Sequence, residues 1–484
     1  MVAGPARTVQ YRMLFSSAEY LLLLAATLLA YRMSSPAGRK WVLVAACAVF
    51  YVWWSAYAFL FLALVIGVNF YLTRWGESSA RFRKPIFVAA IVFDLACIGF
   101  FKYLNFFALA ACQALGLAGM RVAPPHFDIV LPLGISFYTF HLMSYTIDVH
   151  RGKFAPLNRF SDFFLFGAFF PTLVAGPILR AGEFFGQRLY ESLKWEDIER
   201  GARLILIGMF QKLVLADAIS VFADGVFGNT AALTTWTALF GTYAYTFQIY
   251  FDFSGYTLIA LGSARMFGIA LPPNFNAPYL SPNIGEFWRR WHMSLSRWMR
   301  DYLYISLGGS RVALPRILVN LFLTMAIVGL WHGASWNFVI WGAYHGLLLI
   351  CYNIYNRTAA GRLAAAALGR LPCSRALGVA LTFNLAAAGW IFFRARTMSD
   401  AADVFGAIVN YSGDFAAALK PYVKSTLLFS AGIYAIYSLL TSLGVKALDS
   451  LTPRRRVIVY IGIALLIVFL RPSLLKIPFI YFQF

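Results

Sequence analysis

Apolar residues run along this chain in long unbroken blocks, with polar residues gathered between them. The blocks lie near residues 14–31, 41–71, 85–103, 129–147, 163–178, 202–219, 236–261, 317–352, 377–393, 426–443 and 457–470. About 20 consecutive apolar residues let a helix cross the hydrocarbon of a bilayer. The block at 41–71 is too long for one crossing and is expected to fold back near Trp53-Trp54-Ser55, and 317–352 has room for two helices. The pattern therefore predicts about 11–12 transmembrane helices. A membrane β-barrel would alternate apolar and polar residues in segments of about ten, which these blocks do not do. No period of roughly 20–50 residues recurs, which excludes a solenoid.

Composition agrees with this pattern. Of 484 residues, 61% are hydrophobic and 13% charged, where a soluble domain is about half apolar and a quarter charged. The expected class is an all-α polytopic membrane protein. It is read as one integral-membrane domain over residues 1–484, with its motif-bearing core near 129–356. The net charge of +21 is carried in the gaps between blocks, as in Arg39-Lys40, Arg81-Phe82-Arg83-Lys84, Arg394-Ala395-Arg396 and Arg454-Arg455-Arg456. Basic gaps orient helices and touch anionic headgroups. No soluble basic domain exists to bind nucleic acid. If the clusters at 32–40 and 74–84 flank a helical hairpin, both lie on one side, the cytoplasmic one, and the N-terminus lies outside. The first block lacks a small-residue cleavage site and reads as an uncleaved membrane helix. Of the five cysteines, Cys47, Cys97, Cys112 and Cys351 lie in or beside apolar blocks and read as small buried hydrophobes, and no Cys-x-x-Cys pair suggests a metal or redox site.

One segment departs from the block pattern. Residues 272–283 hold Pro272, Pro273, Pro278 and Pro282, and proline removes donors and clashes with the preceding helical turn. A stretch at 285–302 follows. At about 100° per residue, Trp288, Trp291, Leu295, Trp298, Met299 and Tyr302 share one face, opposite Arg289, Arg290, Arg297, Arg300 and Asp301. An interfacial amphipathic helix is expected there, with His292 on its apolar side.

His332 lies in Trp331-His332-Gly333-Ala334-Ser335-Trp336, within an uncharged run bounded by Arg316 and Arg357. An ionisable side chain at bilayer depth is costly and marks a functional site by default. Imidazole exchanges protons near neutrality. A base in an apolar setting suits removal of a hydroxyl proton while an activated acyl group is attacked. The oxyanion that develops needs fixed donors, for which Trp336, Asn337 or main-chain amides near Gly333 are candidates. The residues alone leave a second role open, a hydrogen bond to a neighbouring helix. Of the remaining histidines, His345 and His141 are expected to pack, and His126 and His150 to sit in loops or at span ends. Asp252, inside an apolar block, needs a buried partner. Gly308-Gly309-Ser310-Arg311 reads as a turn. No nucleophile elbow, phosphate-cradling glycine loop or zinc-binding His-Glu-x-x-His run is present. Arg289, Arg290 and Arg297, with Trp288, are candidates to hold a phosphate-bearing donor; the alternative partner for the arginines is anionic lipid.

Taken together, Leu173-Val174-Ala175-Gly176-Pro177-Ile178, the run from Tyr250 to Tyr256, Asn274 to Tyr279, Glu286 to Tyr304 and Gly329-Leu330-Trp331-His332-Gly333 resemble the membrane-bound O-acyltransferases. The closest branch is the alginate O-acetyltransferase type, a neighbour of the D-alanyl transfer protein of teichoic acids. The ending Phe479-Ile480-Tyr481-Phe482-Gln483-Phe484 is similar to that branch too. The resemblance implies a helical bundle with re-entrant and interfacial helices around a tunnel. The acyl donor enters from the cytoplasm and the hydroxyl acceptor from the other side. The family's essential histidine corresponds to His332 and its second to His292. The implied activity is an O-acetyltransferase of a bacterial inner membrane, with acetyl-CoA as donor substrate, no bound cofactor or metal, and an exported polysaccharide as acceptor. Periplasmic helper proteins and a polysaccharide export complex are the implied partners. Two alternatives stand beside it: acyl or D-alanyl transfer from a carrier protein to teichoic acid or lipid, and a glycolipid transporter.

Overall fold

The computed structural model describes residues 13–120, 122–359, 371–413 and 450–471, isolated residues between 361 and 367, and residues 415, 430–434, 477 and 479–480. All regular structure among the described residues is helical. In chain order the helices are α1 (Ala18–Met33), α2 (Pro36–Trp54), α3 (Ala56–Ser78), α4 (Arg83–Ile98), α5 (Leu104–Leu117), α6 (Ile135–His150), α7 (Phe160–Ala168) and α8 (Ala181–Phe185). They continue with α9 (Trp195–Phe210), α10 (Asp217–Gly228), α11 (Thr235–Met266), α12 (Ile284–Arg290), α13 (Met293–Trp298), α14 (Leu314–His332) and α15 (Trp336–Arg357). Last come α16 (Ser374–Arg394), α17 (Met398–Val409) and α18 (Pro453–Leu470). Wide π turns at Gly99–Tyr103 and Gln211–Ala216 join α4 to α5 and α9 to α10, making continuous helices of 35 and 34 residues.

Six of these helices are long and apolar enough to cross a membrane: Ala56–Ser78, Arg83–Leu117, Trp195–Gly228, Leu314–His332, Trp336–Arg357 and Ser374–Arg394. Their surfaces are inside-out relative to a soluble protein. Leu22, Leu60, Val92, Leu381 and Phe469 point outward, while Asn69, Asp94, Thr73 and Thr146 are buried and bonded to one another, Asn69 Nδ2 donating to Asp94 Oδ1 at 2.7 Å. With no water in the hydrocarbon, polar side chains gain only by meeting inside the bundle. The chain is a multi-pass membrane protein.

The long block at 41–71 breaks at Ser55, as its length required. Ser55 is extended, and its hydroxyl accepts from Ala58 N to cap α3. The block at 317–352 forms the hairpin of α14 and α15. The clusters at 32–40 and 74–84 do share one face: Lys40 pairs with Asp162 in the first turn of α7 at 3.0 Å, and Arg74 donates to the Leu157 carbonyl and to Asn158 in the loop just before it. Gly308 and Gly309 form the expected turn, both with positive φ.

The span expected at 163–178 is not a helix beyond Ala168. Pro171 and the Gly176-Pro177 pair deny donors and bias their predecessors away from helical angles. Residues 169–179 run instead as an irregular, fully buried strap, which membrane depth tolerates only where protein surrounds it. Ile178 N donates to Ser294 Oγ at 3.0 Å, and Thr257 Oγ1 donates to the Ala175 carbonyl at 3.3 Å, so the strap ties α11 to α13. Of the block at 426–443, only 430–434 lies among the described residues.

Close helix pairs fix the frame. Along the α9–α11 contact, Gly208 and Gly255 face each other so tightly that a Cβ on either would lie 2.5–2.7 Å from the other's carbonyl oxygen. In the α14–α15 hairpin a Cβ at Gly329 would collide with the Phe338 carbonyl and lie 2.9 Å from the Gly342 Cα. Backbone cannot yield as a side chain can. Gly329→Ala is therefore expected to destabilise by about 1–3 kcal/mol, as overpacking does. The check is a lowered unfolding midpoint of the detergent-solubilised protein.

Candidate active site

His332 is the last residue of α14. Gly333 follows in an extended conformation, with the Phe338 ring lying where a side chain at Gly333 would stand. The hairpin can turn here because position 333 has no side chain. The His332 imidazole is 4% exposed, and its ring contacts are Trp331, Trp341 and Phe393, at 4.9, 5.0 and 5.1 Å between centroids.

The stretch at 285–302 is not one continuous amphipathic helix. It breaks at Trp291-His292 into α12 and α13, then widens into a π turn at Met299–Tyr304. His292 has φ 43° and ψ 55°, the left-handed region, where a residue with a Cβ is strained and is held only by its surroundings. The proline-rich segment supplies that hold. The Asn274 carbonyl accepts from Met293 N at 2.9 Å, its Oδ1 accepts from Ser294 Oγ at 2.6 Å and Ser294 N at 3.2 Å, and Asn276 N donates to the Arg290 carbonyl at 3.1 Å. A periodicity argument does not see this break, because the clamp comes from residues outside the helix. The expected apolar face survives: Trp288, Trp291, Leu295, Trp298, Met299 and Tyr302 are all buried, and His292 is 0% exposed.

Sequence left the separation of the two histidines undetermined. In the structure both pack edge-on against the Trp331 indole, His292 at 6.1 Å and His332 at 4.9 Å between centroids. Phe253 closes over His292 at 4.7 Å. The wall continues through Trp341 to His345 and Trp288. Among the described residues, neither ring nitrogen of His292 has a hydrogen-bond partner, and the Trp331, Trp288 and Trp341 indole N–H groups have none. Buried polar groups are normally bonded, so the N–H groups of Trp331 and Trp341, whose rings pack on His332, suit a polar guest. Behind Tyr279, which packs on Trp291 at 5.8 Å, a cleft of about 930 Å³ opens between Asn276, Arg290, Arg375 and Asn384.

The other candidates are placed as follows. Trp288 faces His345 and Trp341. Arg290 pairs with Glu286 and lines the cleft, Arg297 pairs with Glu183 at 3.5 Å, and Arg289 is exposed. Arg180 and Arg300 converge on Asp301, at 2.8 and 2.6 Å. Burial would raise that carboxyl, but the Arg300 hydrogen bond and the Arg180 charge outweigh it and hold it below the usual carboxylate range. Trp336 turns outward, its ring on Phe106 and its Nε1 donating to Gln113 at 3.3 Å, while Asn337 gives an N–H to the Ala395 carbonyl at 2.8 Å. Asp252 has the buried partner it needed, Lys212 at 2.8 Å, and its second oxygen accepts from Ile480 N at 2.7 Å. Its carboxylate thus faces Lys212 and Ile480, and its neighbour Phe253 faces His292. His345 and His141 are fully buried. Two lysines went unremarked in the sequence, Lys212 and Lys102; each is a cation within an apolar block, the same kind of signal that singled out Asp252.

Comparison with known proteins bears on this site. The model of the membrane-bound O-acyltransferase family matches residues 154–362, which include both histidines and the proline-rich clamp. A probable alginate O-acetylase of Pseudomonas aeruginosa is 39% identical over 404 residues, 82% of this chain and 75% of that protein. The chain belongs to the membrane-bound O-acyltransferase family. It is an acyltransferase. Two other relatives show the family's range. A peptidoglycan O-acetyltransferase of Helicobacter pylori is 33% identical across 78% of this chain and 75% of its own length. A teichoic acid D-alanyltransferase of Bacillus subtilis is 34% identical across 48% of this chain and 62% of its own. In this O-acyltransferase the described part of the C-terminal motif is Phe479 and Ile480, with Phe479 packed on Phe253 and Tyr256; residues 481–484 lie outside the described residues.

Proposed function

We propose that this membrane-bound O-acyltransferase moves an acetyl group from cytoplasmic acetyl-CoA to hydroxyls of an exported polysaccharide in a bacterial inner membrane. The observation that carries the reading is the pairing of buried His332 and His292 on the two sides of the Trp331 ring, within a packed aromatic cluster. In the reaction, His332 takes the acceptor hydroxyl proton as the oxygen attacks the thioester carbonyl. The tetrahedral intermediate collapses, the C–S bond breaks, and the thiolate leaves with that proton as free thiol. A neutral imidazole in a low-dielectric site performs both transfers. The Trp331 indole N–H is the donor we assign to the developing oxyanion, since Trp336 and one Asn337 N–H are committed elsewhere. His292, held rigidly by Asn274, positions the thioester or assists the proton transfer.

Arg290 and Arg375 suit the phosphates of coenzyme A, and Tyr279 in the cleft they line packs on Trp291 of the aromatic cluster. Losing a charge-assisted contact costs about 1.5–3 kcal/mol, so Arg375→Ala is expected to raise the KM for acetyl-CoA about tenfold or more with little change in kcat. Helper proteins and a polymer export complex on the far side would receive the acetylated product. The alginate-type relatives match over more of this chain than the D-alanyltransferase does, which favours acetyl over D-alanyl transfer. Purified protein given acetyl-CoA or an acetyl-loaded carrier protein separates the two donors. Saturable acetyl transfer from acetyl-CoA supports the proposal, and transfer from the carrier alone overturns it.

A further inference from the structure

A helix that ends inside a bundle leaves its last carbonyl oxygens without partners. That is the situation at the end of α14, where the chain leaves helical angles at Gly333 to enter the tight turn before α15. The partners come from 229 residues away. Lys102 Nζ donates to the Trp331 carbonyl at 2.5 Å and to the His332 carbonyl at 3.2 Å, and Tyr103 OH donates to the Leu330 carbonyl at 2.8 Å. Two adjacent side chains thus hold three successive carbonyls of the turn that carries His332. The same ammonium lies 5.9 Å from the centroids of Trp331 and Tyr103.

The grip depends on how the donor helix is built. Lys102 and Tyr103 lie in the π turn Gly99–Tyr103 that interrupts the long helix of α4 and α5. Such single wide turns cluster at functional sites because they re-aim side chains that a regular helix would point elsewhere. A lysine in an apolar span is costly unless it is used, and here its charge meets the negative end of the α14 dipole, where a cation is favoured.

We propose that Lys102, assisted by Tyr103, is the positioning residue of the catalytic base: it locks the last turn of α14 so that the His332 imidazole keeps its place beside Trp331. The proposal rests on the reading of His332 as base. Misplacing a catalytic group by about 1 Å can cost on the order of 100-fold. Lys102→Met is accordingly expected to lower kcat for acetyl transfer from acetyl-CoA by roughly 10–100-fold and to leave the KM for acetyl-CoA within about twofold. Lys102→Arg, which keeps a cationic donor within reach, should recover most of the loss, a rescue that a general effect of burying a lysine would not show. Tyr103→Phe should lower kcat by a smaller factor.

Wild-type kcat in Lys102→Met overturns the proposal, as does an equal loss in Lys102→Met and Lys102→Arg. If Lys102→Met does not accumulate in the membrane, Tyr103→Phe decides, and an unchanged kcat there overturns the clamp. His332→Ala, measured alongside, separates the two claims. Activity retained in His332→Ala removes the base assignment itself. Its loss together with a wild-type Lys102→Met removes only the positioning role.

Discussion

Replacing His332 with alanine is expected to leave a folded membrane protein that transfers acyl groups about 10²–10⁴-fold more slowly, the usual contribution of a positioned general base. The folded state should survive because the side chain lies at the end of α14, and its contacts with Trp331, Trp341 and Phe393 are ring packing that neighbouring contacts among those aromatics preserve. The loss should fall on kcat. Alanine removes the proton acceptor and leaves the Arg290 and Arg375 cleft intact. In cells that export the polymer, its ester-linked acetyl content should collapse while the amount of protein in the membrane stays normal.

A large effect of a different kind is expected at Lys212. Its ammonium is 1% exposed and bridges two carboxylates, Asp217 at 2.7 Å and Asp252 at 2.8 Å, with the Tyr256 ring 5.8 Å away. Removing one partner of a buried ion pair costs about 3–5 kcal/mol because the remaining charge is left uncompensated, and here two acids would be stranded. Lys212→Met should therefore fail to accumulate, or should unfold at a much lower temperature in detergent. The triple variant Lys212→Met, Asp217→Asn, Asp252→Asn removes every charge at once, and should regain most of the stability. A Lys212→Met protein as stable as wild type would show that the cluster does not hold α9, α10 and α11 together. The cluster also bears on the site: Asp252 accepts from Ile480 N, and Phe479 beside it packs on Phe253, which covers His292.

Much of this was legible in the chain. The lengths of the apolar blocks located the break at Ser55 and the α14–α15 hairpin, because a bilayer sets how long a crossing can be. His332, an imidazole in an uncharged run, could be singled out from the cost of burying it. The same reasoning read Asp252 as half of a buried pair but did not name Lys212, which becomes its partner only when α9 and α11 meet through Gly208 and Gly255. Periodicity extended a helix through His292, and the length of an apolar block extended another through residues 163–178. In the first case Asn274 overrides the local pattern from a distance. In the second, prolines within an apolar block outweigh its hydrophobicity. Trp336 and Asn337 sat close enough to His332 in sequence to be candidates for the oxyanion, yet the turn at Gly333 sends them to Gln113 and Ala395.

The central claim is that an acetyl group passes from a thioester to a hydroxyl with His332 as the base. It is tested most directly with purified protein, radiolabelled acetyl-CoA and an acceptor oligosaccharide, following label on the sugar and free thiol together. The account predicts one thiol released for each ester formed by the wild-type protein, and both at least about 100-fold slower with His332→Ala. Acetyl esters formed by His332→Ala at the wild-type rate would contradict it.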